Sequence, residues 1–186
     1  MARLRAAPRG TGLGAQSAAV SPSGADRVLL TIVSGGQTGV DRGALDAALA
    51  VGAPCGGWCP EGRLAEDGVI DFRYPLTILP GAGYLERTRQ NVIDSDATLL
   101  LNRGALQGGS LATLEFCSDL DKPVLVLQVD RQPLAESMAA AQAFVDAHGV
   151  MVLNVAGPRA SSWPAAHSRA QAIVAALLTQ AAPAAP

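Results

Sequence analysis

Two short segments carry residues suited to holding an anionic ligand. The first is Ser34-Gly35-Gly36-Gln37-Thr38-Gly39-Val40-Asp41-Arg42, which leaves an apolar run and enters a helix-like run. The second, Gln107-Gly108-Gly109-Ser110, also falls between an apolar run and a helix-like run. Glycine lets backbone N–H groups approach a ligand with no Cβ in the way. At the start of a helix those N–H groups are unpaired and sit at the positive end of the dipole. Two such turns in one small domain point to a phosphate-bearing or oxyanion ligand. The ligand-free alternative for Gly35 and Gly36 is a tight strand-to-helix turn.

Side chains that could complete the site lie nearby. Thr38 and Arg42 would stand beside the anion, although an acid–arginine pair opening a helix is also an ordinary surface feature. A helix over 84–93 puts Tyr84, Arg87, Thr88 and Asn91 on one face by i, i+3, i+4 spacing, and Arg87 is the strongest phosphate-binding candidate. The loop over 55–68 packs Trp58, two thiols, an arginine and three acids around four glycines. Trp58 could stack on a flat heterocycle or cover a junction between loop and core.

Several chemistries are disfavoured. Lys122 is the sole lysine among 14 basic residues, so no Gly-Lys-Ser/Thr phosphate loop exists and Schiff-base chemistry has no evident base. In the dinucleotide fingerprint G-x-G-x-x-G, Ser34 stands where the opening glycine belongs, while Gly36 and Gly39 fit. Glu61 has about the spacing of a ribose-binding acid but follows Pro60 in a loop, so no NAD is expected. Cys55, Cys59 and Cys117 form no C-x-x-C pair, and His148 and His167 belong to no triad or metal-ligand pattern. No metal site is expected.

The elements needed to position these residues can be read from periodicity. Continuous apolar runs over 28–33, 97–101, 123–129 and 150–155 read as strands buried on both faces. Helical patterns cover 41–51, 84–93, 111–120, 135–147 and 165–179, with 53–73 loop-rich and a short strand over 76–79. The predicted fold is a single α/β Rossmann-like doubly wound domain over 27–180, a mostly parallel sheet with helices on both faces. Ligands then bind beyond the carboxyl ends of the strands, where both glycine turns lie. Residues 1–26 read as a disordered tail or a mis-assigned start, and 181–186 as a second tail. Net charge is −2, which offers no global basic field for nucleic acid. No apolar run reaches membrane-spanning length, and reduced thiols fit a cytoplasmic protein.

The motifs in order resemble the putative molybdenum carrier family. They are the first glycine turn through Arg42, Gly56-Gly57-Trp58-Cys59-Pro60, Ala65-Glu66-Asp67-Gly68, Arg87-Thr88 with Asn91-Val92, Asp94-Ser95-Asp96-Ala97-Thr98, Gly108-Gly109, and Leu153-Asn154-Val155-Ala156-Gly157-Pro158-Arg159. The resemblance spans about residues 30–178. That family is similar to algal molybdenum cofactor carriers and belongs with the lonely-guy and DNA-processing Rossmann-like proteins. The resemblance implies a phosphorylated small ligand, molybdenum cofactor, and a homo-oligomer. On it, Ser34, Gly35, Gly36, Gln37, Thr38, Gly39, Arg42, Trp58, Arg87, Thr88, Asn91, Gly108, Gly109 and Ser110 are the expected binding residues. Cys59 as a thiolate ligand to molybdenum is weaker, because the cofactor supplies its own sulfurs.

A second inheritance is the phosphoribohydrolase branch, which uses Pro-Gly-Gly-x-Gly-Thr-x-x-Glu. Gly108, Gly109 and Glu115 fit that spacing, and Arg87 precedes them on a helix, so Arg87 and Glu115 are the catalytic pair of this alternative. Gln107, Leu111, Ala112 and Thr88 depart from the pattern, which removes backbone access and a hydroxyl donor to phosphate. A nucleotide-sensing domain without turnover is the third reading.

Overall fold

The computed structural model describes residues 29–180. Both expected tails, and the first residue of the strand expected over 28–33, lie outside the described residues. In chain order the elements are β1 (Thr31–Val33), α1 (Val40–Ala50), β2 (Cys55–Gly56), β3 (Trp58–Cys59), β4 (Leu64–Ala65), β5 (Gly68–Val69) and β6 (Thr77–Ile78). Then come α2 (Tyr84–Ile93), β7 (Ala97–Asn102), α3 (Gly108–Asp119), β8 (Val124–Gln128), α4 (Leu134–His148), β9 (Val152–Ala156) and α5 (Ala166–Gln180).

Five strands form one parallel sheet in the order β2-β1-β9-β7-β8. All six residues of β7 are buried, as are Leu153, Asn154 and Val155 of β9. Continuous apolar strands demand cover on both faces, and the helices supply it. α1 packs on α5 and α5 on α4, while α2 packs on α3. The register sets Ile32 beside Leu153 and Leu99 between Val155 and Leu125. The α1–α5 contact is close because Gly43 has no side chain: a Cβ there would lie 2.3 Å from the His167 carbonyl oxygen.

The strand order identifies the topology. β9, last in sequence, sits at the centre between β1 and β7. Counting β9 as the first strand turns the order into 3-2-1-4-5, the doubly wound arrangement. The chain is therefore a circular permutation of that fold, with its opening βα unit moved to the end.

The segment expected as loop over 53–73 is more structured than its sequence suggests. It supplies β2, the edge strand of the main sheet, together with the β4–β5 hairpin, and β3 pairs with β6. Arg63 organises it from the inside. Its guanidinium is buried and donates to the carbonyls of Ile70, Asp71, Tyr74 and Leu76 at 2.9–3.2 Å.

Candidate functional site

The carboxyl ends of β1, β9, β7 and β8 open onto a cleft of about 750 Å³. A smaller cavity of about 50 Å³ shares Asp41, Arg87, Thr88, Gly109 and Gly157 with it. This is where an open parallel sheet places its ligand, at the reversal of strand order. The cleft is within the size range of small-ligand sites, roughly 300–1,000 Å³.

Arg87 sits at the junction of the two spaces. It reaches from α2 onto the first glycine turn, where its Nη1 lies 1.2 Å from the place a Cβ would take at Gly35. Glycine is thus required at 35 for the guanidinium to seat. Nη1 donates to Asp41 Oδ2 at 3.1 Å, and the two side chains are only 12% and 5% exposed. Nε is buried and has no hydrogen-bond partner.

The first glycine turn does hold an anion, but that anion belongs to the protein. Asp41, in the opening turn of α1, accepts from Gln37 N–H at 3.2 Å, and the Gly35 N–H supports it as well. Burial nevertheless pushes its carboxyl above the ordinary value, against the pull of Arg87 and those N–H groups. The second turn is different. α3 starts at Gly108, with φ +51°, and its N-cap Gln107 makes no side-chain cap bond. Gly108 and Gly109 are exposed in the wall of the cleft, so the first N–H groups of α3 are available to a ligand.

Eight expected residues meet here: Gly35, Gln37, Arg87, Thr88, Asn91, Gly108, Gly109 and Ser110. The other six do not line either space, and each has a structural employment. Ser34 is buried and its hydroxyl donates to the Val155 carbonyl at 2.7 Å, tying β1 to β9. Gly36 gives its carbonyl to Arg42 Nε, and Gly39, at φ +80°, packs on the Pro158 carbonyl. The Thr38 hydroxyl donates to Glu66 and accepts from Ala160 N–H. Arg42 is paired within the protein: Asp67 accepts from both of its Nη groups, at 2.6 and 2.7 Å, and the Gly36 carbonyl from its Nε. Trp58 is held away by Asp94, which accepts from its indole N–H at 2.6 Å, and by Asn91, which clamps its backbone on both sides.

Glu115 is exposed on α3 and lines neither space, so the acid of the hydrolase alternative is not beside Arg87. Cys59 is fully buried against the Thr77 carbonyl, and burial raises its thiol, which argues against a thiolate ligand. Among the described residues no three His, Cys, Asp or Glu side chains form a metal-holding group. No helix there is long and apolar enough to cross a membrane.

The cleft also contains residues that sequence reasoning misses. Asn102 ends β7 and Arg103 and Gly104 follow it, Asp130 follows β8, and Gly157, Pro158 and Arg159 follow β9. Each stands at or just beyond a strand end, and that position is the signal that could have found them. Arg103 has no ion pair among the described residues, while Arg159 leans on Glu66 at 3.5 Å and stays 56% exposed. Gly157 lies where the opening βα turn of an unpermuted domain would be, and a Cβ there would meet the Leu101 carbonyl at 2.5 Å.

Fold and site together define a Rossmann-like domain with a polar, partly cationic cleft at its topological switch point. The chain belongs to the circularly permutated YpsA SLOG family, whose profile matches residues 32–178. It is also similar to the crystal structure of a putative molybdenum carrier protein from Syntrophus aciditrophicus SB, with 40% sequence identity and a TM-score of 0.78. That match covers 81% of this chain and 96% of the other. No curated protein matches the chain.

Proposed function

We propose that this protein binds a phosphorylated heterocycle, molybdenum cofactor in the first instance, and carries it in the cleft above β1, β9 and β7. The observation that carries the reading is Arg87, seated on Gly35 in the wall shared by a small cavity and a ligand-sized cleft. Arg87 and the opening N–H groups of α3 would hold the phosphate tail through charge-assisted hydrogen bonds. Arg103 and Arg159 would meet further negative charge of the cargo toward solvent. The name of the 40% identical relative supports molybdenum cofactor as the cargo. Glu115, the acid that the hydrolase pattern names, lines neither space.

A thermal-shift series on the full chain tests this, using isolated molybdenum cofactor, AMP, molybdate and tungstate. The cofactor at 100 times its dissociation constant should add about 2.7 kcal/mol, a shift of several degrees. AMP and the bare oxyanions should do much less. Stabilisation by AMP alone, with free base released on incubation, would overturn the carrier reading in favour of hydrolysis.

A further inference from the structure

The small cavity limits what part of a carried ligand it can take, and its selectivity rests on the carrier reading, which puts a phosphate there. At about 50 Å³ the cavity has room for one tetrahedral group or a few waters, and not for a ring. Its wall combines a cation with an acid. Arg87 lines the cavity, and Asp41, only 4% exposed, faces the same space. Asp41 accepts from Arg87 and Gln37 on Oδ2 and is supported by the Gly35 N–H, which leaves capacity for one further donor on a carboxylate with about four lone-pair sites. An oxyanion with no proton would set its own acceptor oxygen against that carboxyl. An oxyanion bearing a proton would donate to it.

We propose that Asp41 makes this cavity selective for oxyanions that bring a proton near neutral pH, hydrogen phosphate or a phosphate monoester, over those that do not, such as sulfate and molybdate. One proton is then shared between Asp41 and a ligand oxygen, while the Arg87 guanidinium supplies the positive charge beside it. A monoester that has lost its second proton, with pKa about 6, must take one up from solvent to bind, so its affinity falls as pH rises above that value. The charged groups around Asp41 are Arg87 from α2, Arg42 of its own helix (paired with Asp67), and Arg159 from the loop before α5 (paired with Glu66). Arg103 and Asp130 stand across the cleft after β7 and β8. No histidine lines either space among the described residues. The proposal also orients the cargo, phosphate inward and oxo-metal head toward the larger cleft.

Calorimetric titration of the full chain with hydrogen phosphate, sulfate and methyl phosphate tests this. Wild type should bind hydrogen phosphate at least about tenfold more tightly than sulfate. Methyl phosphate should weaken by up to about tenfold per pH unit above pH ~6, with proton uptake visible as a buffer-dependent heat. Asp41→Asn, which keeps an acceptor for the Gln37 N–H and gains an NH₂ donor, should lose the preference for phosphate and the pH slope. Equal affinity for phosphate and sulfate in wild type, without proton uptake, would overturn the role of Asp41 while leaving the carrier reading intact. Failure of both anions to bind while molybdenum cofactor still does would overturn the cavity as the phosphate subsite. The wild-type comparison decides the matter even if the variant does not fold.

Discussion

Arg87→Ala is expected to lower folding stability by about 3–5 kcal/mol, a drop in Tm of roughly 6–20 °C for a domain of this size. The cause is the acid left behind. Asp41 and Arg87 are both nearly buried, and removing one partner strands the other charge away from water. The pair itself need not be a large net stabiliser; the cost arises from breaking it on one side. Two consequences separate this from a generic packing defect. Asp41→Asn added to Arg87→Ala should recover most of the loss, because it removes the stranded charge. The deficit relative to wild type should also shrink in acid. Burial already raises the Asp41 carboxyl and Arg87 lowers it, so the truncation raises it further. The folded variant then holds that proton at pH values where the unfolded chain releases it. Its relative stability is greatest below the unfolded carboxylate value and declines as pH rises through the folded one. Urea denaturation across pH checks both statements. A variant within about 0.5 kcal/mol of wild type at neutral pH would mean that the pair is effectively solvated.

The second large effect is expected at Arg63, far from the ligand. Its guanidinium has no carboxylate partner among the described residues and is neutralised by the dipoles of four carbonyls. It also lies 4.8 Å from the Phe72 ring centroid. Arg63→Ala should cost about 3–5 kcal/mol, since each deprived carbonyl loses about 1–3 kcal/mol unless water replaces the donor. Lysine should rescue only partly, because three donors on a point charge cannot reproduce a planar fork. The damage should reach the cleft. The segment Arg63 holds carries Glu66 and Asp67, which fix Thr38, Ser161 and Arg42 around the first glycine turn. Hydrogen exchange over 61–78 should therefore accelerate well before the rest of the domain. Unchanged protection there would show that the carbonyls find other donors.

Legibility in the sequence depends on the physics of each feature. Long buried strands and amphipathic helices announce themselves by pattern, so periodicity places α2 over Tyr84–Ile93 and β7 to within a residue. Two-residue strands such as β2 and the β4–β5 hairpin have no period to detect, so their segment reads as loop. Strand order is not a local property either. Nothing near Leu153 says that β9 inserts between β1 and β7, although that insertion brings Gly157 and Arg159 to the site. Arg87 stands out because its helix face has too many polar residues to be buried idly. The partners of Arg42 and Trp58 are not legible locally, because the carboxylates that accept from them, Asp67 and Asp94, lie 25 and 36 residues away along the chain.

The most direct test of the central claim leaves every charge in place and moves only the guanidinium. A methyl group at position 35 would overlap Arg87 Nη1, so Gly35→Ala should displace Arg87, at a stability cost of the same origin as that of Arg87→Ala because Asp41 loses its partner. Isolated molybdenum cofactor titrated into wild type and Gly35→Ala, with circular dichroism as the control for folding, should show affinity lower by about tenfold or more in the variant. Equal affinity in a folded variant would contradict the placement of the cargo's phosphate on Arg87.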